Sequence, residues 1–189
     1  MKKQLKEWGI FVGILLILFY TGWYKDIAAM AQRVVLATGL ITADTTIPEG
    51  EIQEADYNFP LRDLEGNSVS LVNFKGKVIF MNVWATWCPP CIAEMPGIQD
   101  LYDKINHENI VFVMLSMDDD KAKPKKFIEK KGYTFPVFMP AGHIPEVFST
   151  RTIPTTYVIS TEGKIISRKT GMASYDTESF FDFLTNEAR

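Results

Sequence analysis

Both cysteines of this chain, Cys88 and Cys91, lie in one C-x-x-C pair where a strand pattern gives way to a helix pattern. The run VIFMNVW at 78–84 is almost continuously apolar, which is typical of a strand buried on both faces. Residues 89–105 are predicted to form a helix. The pair thus marks a strand followed by a helix. The N-terminus of such a helix stabilises a thiolate through its dipole and free N–H groups.

The residues from 51 onward predict an α/β domain. A hairpin over 63–77, with its turn at 65–67, precedes the strand at 78–84. Further strands are predicted over 110–116, 135–139, 155–160 and 164–171, and further helices over 123–132, near 145–149 and over 177–188. This succession favours a mixed sheet with helices on both faces.

Composition excludes one class of partner. The net charge of -3 and the pI near 5.5 argue against a nucleic-acid binder, which normally carries a basic patch. Hydrophobic residues, at 47%, are enough to fill a globular core.

Residues 8–24 contain no charged side chain and are predicted to anchor the chain in a lipid bilayer as one transmembrane helix. Lys2, Lys3 and Lys6 precede this stretch, so the amino end is expected in the cytoplasm and the remainder on the extracytoplasmic, periplasmic or outer, face of the cell membrane. A cleaved signal peptide, with AMA at 29–31 as its cleavage site, is the alternative.

The chain is therefore expected to have three parts, namely the cytoplasmic start and anchor at 1–25, a juxtamembrane segment and linker at 26–50, and the domain at 51–189. The first half of the second part has helical spacing. A helix lying along the membrane surface and an ordinary helical stalk both fit that spacing.

Three uses of the cysteine pair can be compared. A closed zinc site needs four ligands, and only His107 and His143 remain, at no recognisable spacing, so no metal site is expected. A structural disulfide closing so short a loop gains little entropy. Redox exchange fits best, because a C-x-x-C pair between strand and helix is the position for a reactive dithiol.

The motifs VWATWCPPC and TIPTTYVIS, together with Pro96 five residues after Cys91, resemble a thioredoxin-fold protein. More narrowly, the chain resembles the membrane-anchored TlpA/ResA-like thiol–disulfide oxidoreductases over roughly residues 51–187. The leading hairpin and the helix around 121–131 are part of the likeness.

The resemblance implies that Cys88 is an exposed nucleophile at a helix N-cap and that Cys91 resolves the mixed disulfide, so that the two form the redox disulfide. Pro89 and Pro90 lie between them and lack the backbone N–H groups that might steady a Cys88 thiolate. The amide of Cys91 and its S–H are left as the main donors.

Three further positions resemble family residues that lie near the substrate or in the active-site helix. Trp87 resembles the tryptophan that flanks the active-site disulfide, although core packing would equally explain it. Pro96 resembles the proline that bends the active-site helix. Pro154 resembles the cis-proline facing the disulfide, where backbone groups of Thr152 and Ile153 would pair with a substrate by strand addition.

Two polar residues have competing interpretations. Asn82 stands where classical thioredoxins carry a buried acid, and a buried amide that satisfies neighbouring backbone is expected there. Glu94 resembles an active-site glutamate that accepts the proton of Cys91, and an exposed glutamate near a helix start is the alternative.

Residues 118–120, three acids, predict a solvated loop and helix cap.

The leading functional hypothesis is an enzyme, a protein disulfide oxidoreductase without a cofactor that favours reduction. Its implied substrates are envelope proteins such as apocytochrome c or copper-centre assembly proteins. It would need a membrane thiol-reducing electron donor, because the extracytoplasmic face is oxidising. A copper(I)-handling protein that uses the same thiolates and a thiol oxidase are the alternatives.

Overall fold

The computed structural model describes residues 2–39, 41–43, 52–105 and 108–189. Within them, eight strands form one sheet in the order β1-β8-β7-β4-β5-β6-β2-β3. The strands are β1 Gln53–Glu54, β2 Pro60–Asp63, β3 Ser68–Ser70, β4 Val78–Trp84, β5 Ile110–Ser116, β6 Val137–Pro140, β7 Thr155–Ile159 and β8 Lys164–Thr170. Only β4–β5 and β5–β6 are parallel pairs among these strands, so the sheet is mixed, as predicted.

The helices accompany this sheet in the predicted order. They are α1 Lys2–Thr21, α2 Trp23–Ala37, α3 Pro89–Lys104, α4 Ala122–Lys131 and α5 Glu178–Glu187, with short 3-10 helices at Leu71–Phe74 and Glu146–Phe148. Gly132 ends α4 in the left-handed conformation at φ 71°, which is the reason a glycine follows that helix. The predicted hairpin is confirmed as β2–β3, and it joins the main sheet through β6.

The alternation of side chains along β4 divides the core in two. Val78, Phe80 and Trp84 face the side covered by α3 and α5, whereas Ile79 and Met81 face a second core with Phe59 and other residues ahead of β4. Asn82 has the same parity as Phe80, so its side chain faces α3. The fold thus brings one polar group of the central strand against the helix that carries the cysteines.

The amino-terminal segment consists of two helices. The prediction of one helix over 8–24 is wrong at its end, because α1 stops at Thr21 and Trp23 begins α2. Gly22 lies between them at φ 75°, a conformation that glycine adopts without strain. Among the described residues, no helix has the length and apolarity required to cross a membrane. Most of the predicted linker, at 44–50, lies outside the described residues.

The second of these helices packs on the domain. Ala29 and Leu36 of α2 form a small buried cluster with Ile92 and Ala93 of α3. An ion pair from Asp26 to Lys131, 3.1 Å long, adds a contact with α4. A segment that precedes the thioredoxin-like unit therefore covers the helix that carries the cysteines.

Candidate active site

Cys88 and Cys91 form a disulfide at the N-terminus of α3, with their Cα atoms 5.3 Å apart. Cys88 is the N-cap, and Pro89 and Pro90 occupy the first helical positions, as predicted. The backbone N–H of Cys91 donates to Cys88 Sγ over 3.3 Å. This amide is therefore positioned to stabilise a Cys88 thiolate once the disulfide is reduced.

Cys88 is the more accessible sulfur, but the prediction that it would be exposed is wrong. The residue is 4% exposed and Cys91 is fully buried. The carbonyl oxygen of Ile153 lies 3.8 Å from Cys88 Sγ. Trp87 next to it is 51% exposed, so core packing does not explain this residue, and the fully buried tryptophan is Trp84.

The predicted cis peptide bond is present at Ile153–Pro154, beside the disulfide. The backbone of the preceding residue is already used within the loop, since Thr152 O accepts from Thr155 Oγ1 and Thr152 N–H donates to Thr150 Oγ1. No described residue accepts from the N–H of Ile153. Strand addition at this loop therefore depends on Ile153 rather than on Thr152.

Glu94 lies in the interior beneath the disulfide, on the same face of α3 as Cys91. It is 2% exposed, so the interpretation as an exposed glutamate is wrong. Its carboxyl group accepts from Asn82 Nδ2 at 2.7 Å and from the N–H of Ala173 at 3.3 Å. Burial raises its pKa to about 8, against the lowering effect of those two hydrogen bonds.

Asn82 connects this carboxyl group to further side chains. It is buried as predicted, but its Nδ2 donates to side chains, Glu94 and Thr156 Oγ1, where backbone partners were expected. Tyr175 Oη in turn donates to Thr156 Oγ1 over 2.6 Å. Asn82 Oδ1 has no hydrogen-bond partner among the described residues. A half-turn of the amide would present Oδ1 to a protonated Glu94, so this side chain can serve both protonation states.

Asp118 is a site residue that the sequence did not reveal. Of the three acids predicted to form a solvated loop and cap, Asp118 is buried, and its carboxylate accepts from the N–H and Oγ1 of Thr86 and from Ser116 Oγ. Asp119 and Asp120 are exposed, as predicted, and Asp120 accepts from Ala122 N–H, but the N-cap of α4 is Lys121, which makes no side-chain capping bond. Asp118 thereby fixes the loop that leads from β4 to Cys88.

The proline inside α3 leaves one helical carbonyl without its usual partner. Pro96 has no N–H, so the carbonyl of Ile92, four residues earlier, has no intrahelical donor from it. Arg33 of α2 supplies a donor, with its Nη2 3.2 Å from Ile92 O. The hydrogen bond that Pro96 cannot donate to Ile92 is thus supplied by a residue of α2.

A cleft of about 220 Å³ opens beside Glu94 between α2, α3 and the segment after β8. Residues that line it include Arg33, Leu36, Glu94, Gly97, Asp100 and Asp176. The cleft gives the buried carboxyl group a route for proton exchange with solvent.

Comparison with known proteins places this geometry in a family. The model of the AhpC/TSA family matches residues 52–168. The thiol-disulfide oxidoreductase ResA of Halalkalibacterium halodurans is 32% identical over 137 residues, which are 71% of this chain and 78% of that protein. ResA of Geobacillus thermodenitrificans is 30% identical over 172 residues, covering 90% of this chain and 91% of that protein.

Two solved structures extend the likeness to the fold. StoA from Bacillus subtilis is 26% identical, with a TM-score of 0.56, over 66% of this chain and 94% of that one. A thiol-disulfide oxidoreductase from Bacteroides vulgatus is 27% identical, with a TM-score of 0.62, over 76% of this chain and 99% of that one.

Proposed function

We propose that this chain, which belongs to the AhpC/TSA family and is a thiol–disulfide oxidoreductase of the ResA type, is a membrane-anchored reductase of disulfides in envelope proteins. One observation carries this proposal, namely a C-x-x-C disulfide at a helix N-terminus with a buried glutamate on the same helical face. Apocytochrome c and copper-centre assembly proteins are the substrates that the resemblance to this family implies.

The reaction proceeds in two exchanges. The Cys88 thiolate attacks one sulfur of the substrate disulfide, and the other substrate sulfur leaves as a thiolate. Cys91 then loses its proton to the ionised form of Glu94, which is in exchange with the protonated form near neutral pH, and attacks Cys88 Sγ, which releases the second substrate thiolate and closes the Cys88–Cys91 disulfide. Two electrons pass from the dithiol to the substrate.

Glu94 suits the second exchange because its pKa of about 8 lies close to that of an ordinary thiol. Proton transfer between groups of similar pKa is nearly balanced, which is the best condition for a general base. The cleft beside α2 then returns the proton to solvent. Substrate binding rests on the free N–H of Ile153 and on the exposed ring of Trp87.

Reduction is favoured over oxidation by the chemistry around Cys88. Pro89 and Pro90 donate no hydrogen bond to a thiolate, so Cys88 receives little stabilisation beyond the N–H of Cys91. A strong oxidant instead stabilises its reduced thiolate heavily. Sustained reduction requires a membrane thiol donor, and an anchor within α1, with the domain on the extracytoplasmic face, would keep the domain near it.

The redox potential tests this direction. Equilibration of the protein against glutathione should give a value near that of thioredoxin, about -270 mV. A value of about -120 mV, typical of DsbA-type oxidants, would contradict reduction and identify a thiol oxidase.

Trapping tests the mechanism and identifies the substrate. Cys91→Ser should accumulate mixed disulfides with envelope proteins, because no thiol resolves them, and mass spectrometry would identify the partners. Cys88→Ser is the matched control and should trap none. Equal trapping by both variants would rule out Cys88 as the nucleophile.

A further inference from the structure

The outer face of α2 is apolar and exposed, although its inner face is buried against α3. Trp23, Ile27, Met30 and Val34 follow an i, i+4, i+7, i+11 spacing and form one stripe along the helix. Their exposed fractions lie between 54% and 69%. Tyr24, Ala31 and Val35 lie next to the stripe and are also exposed. A contiguous apolar face of this kind marks a surface that contacts another body.

Two features on either side of this outer face indicate its partner. Along the chain, α2 follows α1, whose exposed large apolar side chains are Trp8, Ile10, Phe11, Val12, Leu16, Ile17, Phe19 and Tyr20. The rings of Phe19 in α1 and Tyr24 in α2 stack with their centroids 5.8 Å apart, so the apolar surface continues across Gly22 from one helix to the next. Continuity with a segment apolar on several sides fits a lipid phase better than a protein groove.

The second feature is a row of lysines on α4. Lys123, Lys126 and Lys130 follow the i, i+3, i+7 spacing of one helix face, and all three are exposed. Phe127 and Lys131, which border this row, contact α2 through the buried cluster and the ion pair to Asp26. Cations beside an exposed apolar face are the arrangement that binds anionic lipid surfaces.

We propose that the outer face of α2 and the lysine row of α4 together dock on the surface of an anionic lipid bilayer. A second copy of the chain fits less well, because it would bring a second lysine row to the same contact. Anionic headgroups neutralise the lysines while the acyl boundary receives the apolar face. This docking is independent of the direction in which electrons flow through the cysteines.

Docking in this way determines where the active site lies. The inner face of α2 is fixed to α3 through Ala29, Leu36 and Arg33. The active-site helix then lies about one helix diameter, ~10 Å, above the lipid surface. Cys88 at its N-terminus is presented to partners that are themselves held at the membrane, which restricts its donors and substrates to membrane-associated proteins.

Photocrosslinking of the full chain tests the contact. A benzoylphenylalanine probe replaces Val34 in protein reconstituted into vesicles of phosphatidylglycerol and phosphatidylcholine. The matched control is a probe at Val72, which is 54% exposed and lies beside Leu71 of the second core, on the other face of the sheet. Lipid adducts identified by mass are expected at position 34 and not at position 72. A protein–protein adduct at position 34, or equal lipid yield at both positions, would overturn the proposal.

The lysine row is tested with the same probe. Replacing Lys123, Lys126 and Lys130 by Gln should lower the docked population by roughly fivefold per lysine. Lys125→Gln, on a different side of α4 beside Glu129, is the control and should leave the lipid yield unchanged. An unchanged yield in the triple variant would remove α4 from the docking surface. Reductase activity on a soluble disulfide is measured alongside, so loss of activity with intact lipid adducts would contradict only the proposed function.

Discussion

Glu94 owes its chemistry to its burial and to two hydrogen-bond donors, and not to its position in the sequence alone. Burial disfavours the carboxylate, while the N–H groups of Asn82 and Ala173 favour it, and the balance leaves the pKa at about 8. A carboxyl group in this condition takes up and returns a proton near neutral pH. The buried carboxyl group therefore gives the site an acid–base group in addition to the two sulfurs.

Glu94→Gln should slow the resolving step by roughly 10²-fold at neutral pH, within the usual contribution of a general base. Toward high pH the two proteins should converge, because hydroxide then removes the Cys91 proton without help from the carboxylate. Release of a chromogenic thiolate from a mixed disulfide on Cys88, followed by stopped flow across pH, measures this step. Initial attack by Cys88 should change little.

Glu129→Gln, on the exposed side of α4, is the matched control for this substitution. Its resolving rate should follow the wild-type profile. If the Glu94→Gln profile does the same, Glu94 has no part in proton transfer and is a structural residue.

Helices α2 and α3 are linked by a hydrogen bond, because α3 contains a carbonyl group without a helical donor and α2 supplies one. Pro96 deprives the Ile92 carbonyl of its helical partner, and Arg33 replaces it. Since a buried carbonyl without a donor is costly, the hydrogen bond ties the amino-terminal helix to the active-site helix.

Arg33→Met should therefore lower the free energy of unfolding by about 1 kcal/mol. In a Pro96→Ala background the same substitution should cost much less, because the alanine N–H supplies the donor that Ile92 lacks. Urea unfolding of the four proteins in a common detergent measures the coupling. Equal costs of Arg33→Met in both backgrounds would show that the hydrogen bond carries no such role.

The elements of the domain could be predicted because each has a local signature. The local sequence is enough to predict the backbone at three places, namely the apolar run of β4, the glycine after α4 and the prolines after Cys88. The end of α1 at Gly22 was missed, since a glycine within an apolar run is tolerated in helices of several kinds. The hairpin was found, but its pairing with β6 depends on residues about 75 positions away.

Across the molecule, tertiary burial determines the environment of several polar residues, and local sequence patterns could not predict it. Glu94 and Asp118 look like exposed acids in the sequence, and both are buried. Arg33 and Pro96 are 63 positions apart, and no periodicity relates them. The redox pair and the cis bond at Pro154 were identified because motifs report them, whereas the polar network depends on tertiary packing.

Burial of Glu94 also couples the stability of the whole fold to pH. The pKa of this carboxyl group is raised from 4.5 to about 8 in the folded chain. Between these values the folded chain binds the proton and the unfolded chain does not. The free energy of unfolding therefore receives its full contribution below about pH 4.5 and loses it as the pH rises through about 8.

Glu94→Gln should abolish this dependence, because an amide remains neutral in both states. The wild-type protein should lose stability relative to the variant by a few kcal/mol, as an order of magnitude, as the pH rises from about 5 to about 9. Urea unfolding of both proteins at a series of pH values gives the difference, in which the contributions of all other titrating groups cancel. Glu129→Gln, measured in the same way, should give a flat difference from wild type. A flat difference for Glu94→Gln as well would mean that the pKa of the carboxyl group is not raised in the folded chain, and the match with a thiol on which its role as a general base rests would be lost.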